Sequence, residues 1–438
     1  MDTSDLLSRW STSSLDEIQQ ELDSGKNQAA AAQLFGADAV AAMRSDSETR
    51  GFSGPREAVV LLPGLMGSLL ASVQGMIMPL WINPALFLRG ESRYLELNAA
   101  GTADGSPNIL TMPTGCERLC YLQPALALNR ECLLFEFPYD WRLPIQVNGD
   151  RLSRALERWA DGDDAMQFTL VGHSMGGLVS RAFVACHPEQ AKRRIKRVIM
   201  QGTPHFGAAG AVADIMEGNR MMALAAALHE QNTLRRFVLN MPSVYQLLPP
   251  PRDLFPDRHD DSVNFDPYDA AQWRLEGVRQ DYLDAGKRFH ELLANFDHPV
   301  EMIEIAGCNL KTKVKVLLSF TGPSEQPSLE VIHESEGPNS GDATVPLKSA
   351  LLPGAQVYYI QEVHRNLPKN QRVLQATIDL IYGRRPELPT ELPEPDHGFL
   401  GLFRDVGDPE SEAERLRQRL NDGVATEEDL EQFFFLDY

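Results

Sequence analysis

The chain has 438 residues, 43% of them hydrophobic and 23% charged, with a formal net charge of −20 and an isoelectric point near 4.9. That is too long for one small domain and apolar enough for a substantial core. The acidic balance excludes nucleic acid as a partner drawn in by the overall field, and any contact with a membrane would have to use apolar surface or a neutral interface.

The first residues, Met1-Asp2-Thr3-Ser4-Asp5, are acidic and carry no basic then apolar run, so no signal peptide is expected. No apolar run is long enough for a transmembrane segment; Met221 to Leu228 comes nearest. The 5 cysteines (Cys116, Cys120, Cys132, Cys186 and Cys308) are odd in number and scattered, which suits reduced thiols in a cytoplasm. Neither a metal nor an organic cofactor is implied, since Cys116 and Cys120 lack a second pair and no phosphate-binding or dinucleotide loop is present.

Residues 1–50 read as a helical appendage, with Leu15 to Leu22 at helical spacing and an Ala-rich stretch from Asn27 to Met43, punctuated by Gly25 and Gly36. From 51 to 384 the pattern is that of one α/β domain. Short apolar runs at Ala58 to Leu62, Leu133 to Phe137, Phe168 to Val171 and Val198 to Gln201 alternate with the helical stretches Leu152 to Trp159 and Gly177 to Cys186. This rhythm predicts a mostly parallel sheet with helices on both faces and a site at the C-terminal ends of its strands. Residues from about 205 to 298 break the rhythm and read as an inserted helical cap. The sheet resumes at Val300 to Ala306, an antiparallel pair follows at Lys313 to Phe320 and Leu329 to Glu334, and Val357 to Ile360 with Val373 to Tyr382 form the last strand and helix. Residues 385–438 read as a Pro/Glu-rich linker and a tail of two helices, Glu412 to Leu420 and Glu427 to Phe435.

Gly172-His173-Ser174-Met175-Gly176 fits G-x-S-x-G and sits between a predicted strand and a predicted helix, the context that the nucleophile elbow of an α/β-hydrolase requires. A serine nucleophile needs a base, and the base an orienting acid, in the chain order Ser, acid, His. His364, four residues beyond Ile360, is the candidate base. Asp342, in the loop Gly341 to Pro346, is the candidate acid, with Glu362 the runner-up; Asp140 follows a strand but precedes the serine. Oxyanion donors are expected at the N–H of Met175 and in the loop Leu62 to Ser68, at Leu65.

Several segments together resemble the lecithin:cholesterol acyltransferase family, which includes lysosomal phospholipase A2 and phospholipid:diacylglycerol acyltransferases. They are Pro63 to Ser68; Phe137-Pro138-Tyr139-Asp140-Trp141-Arg142, the most specific match; Gly202 to Gly207; Ser243 to Pro249; the Gly341 to Pro346 loop; and His364. The resemblance covers about residues 56 to 382. It implies an α/β-hydrolase fold, a triad of Ser174, Asp342 and His364, oxyanion donors at Leu65 and Met175, and a lipid or other acyl-ester substrate. Ala343 stands where the family's loop has Gly, and the disulfide-tied lid of animal members has no counterpart, which suggests a bacterial-type member. A lid is expected over about 76–115, with Trp81 and Phe87 contacting acyl chains.

The expected chemistry is acyl transfer through Ser174, with hydrolysis favoured over transfer to an acceptor alcohol. Met216, Met221 and Met222 belong to a Met- and Ala-rich stretch that either lines an acyl groove or is core of the cap. Arg142 either meets a polar head group or pairs with an acidic neighbour. The terminal helices, with Phe433 to Leu436 and Tyr438, offer a surface for a protein partner or self-association, and with it a reading as a partner-regulated, membrane-damaging effector.

Overall fold

A computed structural model describes residues 3–44, 56–218, 229, 231–232, 234–255, 262–294, 298–319, 327–400 and 418–419. The two tail helices, with Phe433 to Tyr438, lie outside the described residues, apart from a helical pair at 418–419.

Among the described residues there are eleven strands: β1 (Ala58–Leu62), β2 (Ser68–Ser72), β3 (Met78–Trp81), β4 (Thr111–Cys116), β5 (Leu133–Glu136), β6 (Phe168–His173), β7 (Ile195–Gln201), β8 (Glu301–Gly307), β9 (Thr312–Ser319), β10 (Ser328–Glu334) and β11 (Gln356–Ile360). Six of them form the central sheet in the order β5-β1-β6-β7-β8-β11, with every neighbouring pair parallel. The chain goes from β1 to β5 on one side and then to β6 on the other. That reversal opens a crevice at the C-terminal ends of β1 and β6, where ligands bind in open α/β sheets.

Alternation along β1 shows why its run of apolar residues is unbroken. Val60 and Leu62 point into one core with Leu152 and Leu156 of helix Ile145–Ala160 and Leu178 and Ala182 of helix Met175–Cys186. Val59 and Leu61 point into the opposite core with Tyr121, Ala125 and Leu128 of helix Arg118–Glu131 and Val373, Ala376 and Leu380 of helix Gln371–Ile381. Both faces are covered, so both sets of side chains must be apolar. This is the α/β-hydrolase architecture. The predicted antiparallel pair forms as β9 and β10.

Between β7 and β8 lie helices Ala209–Met216, Leu234–Leu239, Pro242–Tyr245, Ala270–Trp273 and Gln280–Ala294. The segment from 76 to 115, expected as a lid, contributes two strands to an antiparallel sheet in the order β3-β2-β4. Pro79 and Pro113 sit in the two outer strands, where a missing N–H is tolerated. The same segment is pinned from outside. Arg142, fully buried, pairs with Asp104 at 2.9 Å and donates to the Leu95 carbonyl at 3.0 Å while also pairing with Asp140 at 2.8 Å. The head-group reading of Arg142 therefore gives way to an internal ion pair.

Four helices, Thr3–Thr12, Leu15–Asp23, Gln28–Phe35 and Ala37–Met43, make up the described N-terminal part. A reciprocal Ser14–Glu17 capping box starts the second. Trp10, Ile18, Leu22 and Met43 pack with Leu122 and Leu126 of helix Arg118–Glu131, and Arg118 Nε donates to the Trp10 carbonyl at 3.3 Å. At the other end, the Pro-rich stretch expected as a linker runs beside the outer strand β11, where Tyr359 N–H donates to Pro389 O at 2.9 Å. A segment poor in N–H groups covers a sheet edge without extending it.

Trp10 is wholly buried and donates through Nε1 to Glu21 at 3.2 Å. Trp10→Ala is expected to destabilise the protein by about 3–5 kcal/mol, read as a lower midpoint of the main unfolding transition. An unchanged midpoint would mean that the N-terminal helices do not contribute to that transition.

Candidate active site

Ser174 follows β6 directly and has φ 54 and ψ −123, outside the regions that side-chain-bearing residues normally occupy. Its N–H donates to Gln201 O of β7 at 2.9 Å, which fixes the turn. The turn is possible only because its neighbours lack side chains. A methyl at Gly172 would lie 2.7 Å from Gly177 N, and one at Gly176 would lie 2.6 Å from Pro63 O. One at Gly64 would lie 3.0 Å from Ser174 Cβ, so the loop after β1 sits directly against the serine.

That loop is braced by Tyr139 and Trp141. Tyr139 Oη donates to Pro63 O at 2.7 Å, and Trp141 Nε1 to Ser68 O at 3.0 Å. Trp81 Nε1 donates to Met66 O at 2.9 Å. Within the loop, Gly64 N–H donates to Tyr121 Oη and Gly67 N–H to Gly64 O, and Leu65 lies between these two committed donors. Met175 is the first residue of its helix, so its N–H is among those a helix leaves without an internal acceptor.

Asp342 and His364 come together from loops after β10 and β11. His364 Nδ1 lies 2.6 Å from Asp342 Oδ2, and His364 N–H donates to Asp342 O at 2.8 Å. The other carboxylate oxygen accepts from the N–H groups of Thr344 (3.0 Å) and Val345 (2.6 Å). Asp342 is 1% exposed and His364 8%. Gly202 gives the pair room, since a methyl there would lie 3.0 Å from both Asp342 Oδ2 and His364 Nδ1. The His364 ring lies against that of His173, with centroids 4.9 Å apart, which brings it beside the serine's turn. Glu362, the runner-up acid, instead accepts from Asn370 Nδ2 at 2.7 Å.

Beneath the loop after β7 lies a buried polar chain that sequence reasoning missed. Arg181 Nη1 is 3.3 Å from His205 Nδ1, and His205 Nε2 is 3.1 Å from Glu304 Oε2. Glu304 also accepts from Thr203 N–H at 3.2 Å. Burial, with the charge of Asp342 nearby, pushes the Glu304 carboxyl well above its usual range, and burial lowers Arg181 to about 10. These residues lie far apart in the chain and only the fold brings them together.

The expected acyl-contact residues are placed differently. Trp81 and Phe87 are in the core, packed edge-on at 6.2 Å, and Trp81 also meets Trp141 at 5.3 Å. They turn inward because Trp81, Phe87 and Trp141 pack edge to face there behind the loop after β1. Met216 is 7% exposed and belongs to the core, while Met221 and Met222 lie outside the described residues. Among the described residues no cluster of three or more His, Cys, Asp or Glu is arranged to hold a metal ion.

Ala343 has φ 76, a left-handed conformation that costs an L-residue roughly 1–2 kcal/mol. Ala343→Gly should relieve it and, after the extra entropy glycine loses on folding, raise stability by roughly 0.5–1 kcal/mol. A higher unfolding midpoint checks this; a lower one would show that the strain is not there.

The sequence profile described as Lecithin:cholesterol acyltransferase matches residues 126–373, more than half of the chain. Phospholipase A(1) LCAT3 of Arabidopsis thaliana is 27% identical over 125 residues, 27% of this chain and 28% of that protein. Lecithin-cholesterol acyltransferase-like 4 of the same plant is 22% identical over 294 residues, 55% of this chain and 54% of that one. The chain thus spans between about a quarter and about half of the length of these curated relatives. Among solved structures, a chain of the Tle4–Tli4 complex is 14% identical, with 74% of this chain and 98% of that one covered and a TM-score of 0.47. Bacillus licheniformis lipase BlEst2 in mature form is 15% identical, with 76% and 96% covered and a TM-score of 0.38. The chain belongs to the lecithin:cholesterol acyltransferase family.

Proposed function

We propose that the protein is a serine hydrolase of lipid acyl esters, acting through Ser174, His364 and Asp342. The observation that carries this reading is the strained Ser174 at the head of its helix, in the crevice between β1 and β6, with the buried Asp342–His364 pair beside it. In this scheme His364 Nε2 takes the Ser174 proton as Oγ attacks the ester carbonyl. Asp342 holds Nδ1–H and stabilises the imidazolium. The N–H groups of Leu65 and Met175 receive the oxyanion. The tetrahedral intermediate collapses as His364 protonates the leaving alcohol, leaving an acyl-Ser174. Water, activated by His364, then releases the fatty acid.

Transfer to an acceptor alcohol differs only in that last step, and family membership supports it as the second reading. A lipid substrate also suits the surface. Ser72 pairs with Met78, and Val73 N–H donates to Leu110 O, so Ile77 (74% exposed), next to Met78, and Leu110 (54% exposed) lie at one sheet end with Met76 and Met112 nearby. With a net charge of −20, this apolar end would favour neutral lipid over anionic lipid. Among the described residues no helix is long and apolar enough to cross a membrane. All five cysteines are free and four are buried, which fits a reducing compartment, so we assign the protein to the cytoplasm as a bacterial-type member without a tied lid. The effector reading rests on both terminal segments; because the N-terminal helices pack against helix Arg118–Glu131, deleting the tail beyond residue 400 alone is the change that separates it from simple lipid turnover.

Ser174→Ala should lose turnover of p-nitrophenyl esters and of neutral phospholipid in detergent by at least about 10³-fold, and Asp342→Asn by roughly 10³–10⁴-fold with the fold intact. Wild-type turnover by Ser174→Ala would refute the assignment. A rate that rises with acyl chain length supports a lipid ester, and a preference for short chains would restrict the protein to small esters.

A further inference from the structure

Tyr121 and His173 take no part in the steps above, yet both touch the groups that do. Gly64 N–H, in the loop after β1, donates to Tyr121 Oη at 2.7 Å. The same oxygen is 2.7 Å from His173 Nδ1, and His173 Nε2 is 3.0 Å from the carbonyl oxygen of His364. Tyr121 is 2% exposed and His173 4%.

The direction of each bond follows from what each group can do. A carbonyl oxygen only accepts, so His173 Nε2 carries a proton. Burial, and next the charge of His364, hold His173 well below the ordinary histidine range, so the ring is neutral and has one proton only. Nδ1 is then an acceptor and receives the Tyr121 hydroxyl hydrogen. Burial pushes the Tyr121 hydroxyl well above its usual range, so that hydrogen is retained. The Tyr121 oxygen has a lone pair left for the Gly64 N–H. The result is one chain of hydrogen bonds, all running the same way, from the loop beside Ser174 to the backbone of His364.

We propose that Tyr121 and His173 are positioning residues that fix the loop carrying Leu65, one of the two oxyanion donors, against the loop carrying the base, so that both meet the same tetrahedral intermediate. The proposal rests on the reading of Ser174 and His364 given above. Its physical ground is that an oxyanion donor or base displaced by a fraction of an ångström loses much of its effect on the transition state while binding little less substrate. Tyr121 also lies on the helix whose Leu122 and Leu126 carry the N-terminal helices, so the chain is anchored outside the sheet.

The test uses the full chain with a p-nitrophenyl ester. Tyr121→Phe keeps the ring and removes only the hydroxyl; kcat should fall about tenfold with KM changed less than about twofold. His173→Leu should do the same, while His173→Gln, which offers an acceptor and a donor on one side chain, should retain most of the activity. The Tyr121→Phe/His173→Leu double variant should be no slower than the slower single variant, because the two act as a unit. Ser174→Ala, assayed alongside, separates the two levels. Wild-type turnover by Ser174→Ala overturns the reading of the site and the proposal with it. An inactive Ser174→Ala together with a wild-type kcat in Tyr121→Phe, a change in KM alone, or losses that multiply in the double variant overturns the positioning proposal only. If Tyr121→Phe does not fold, the comparison of His173→Gln with His173→Leu decides it, and equal activities overturn it.

Discussion

Everything at the site depends on the backbone of Ser174 being held in a conformation it would not adopt alone. Such a residue costs on the order of 1–3 kcal/mol and persists only where its surroundings leave it no alternative. Here those surroundings are backbone atoms. The carbonyls of Leu62 and Pro63 lie against Gly176, Gly177 backbone lies against Gly172, and Gln201 O receives the serine's N–H. The strain is offset by the packing of helix Met175–Cys186 against the sheet and against helix Ile145–Ala160, where Gly149 lets the two helices approach until a methyl would lie 2.9 Å from Phe183 N.

Polar groups buried around this turn are used to place loops. Asp140, Arg142 and Asp104 tie the segment before β4 to the loop after β5, and Tyr139 and Trp141 from that same loop hold the loop after β1. Arg181, His205 and Glu304 do the same beneath the loop after β7, where Gly202 borders the Asp342–His364 pair. Buried charged and polar networks are weak sources of net stability, and they cost most when one partner is removed. Their contribution here is to position: each connects a strand-end loop to a neighbouring element, and the functional side chains ride on those loops.

Much of this was legible in the sequence for definite physical reasons. β1 and the inner parts of β6, β7 and β8 are buried on both faces, so they read as largely apolar runs. Ser174, Asp342 and His364 follow such runs in an order the chemistry demands, and the glycines around the serine mark the strained turn. What escaped the sequence is non-local. The sheet of β2, β3 and β4 has prolines in both edge strands and bulged registers, which blur the alternation that would announce it. Trp81 and Phe87 look like exposed lid aromatics until the rings behind the oxyanion loop are assembled, and Asp104, 38 residues from Arg142, is brought to it only by the fold. Tyr121 is 57 residues from Gly64 and 52 from His173, so nothing in the local pattern joins them.

The central claim is that Ser174 forms the covalent acyl intermediate, and the direct measurement is intact-protein mass spectrometry after exposure to a long-chain alkyl fluorophosphonate, followed by peptide mapping. The account predicts one adduct per chain, carried by the peptide that contains Ser174, and no adduct on Ser174→Ala under the same conditions. An adduct on another residue, or equal labelling of Ser174→Ala, would contradict it.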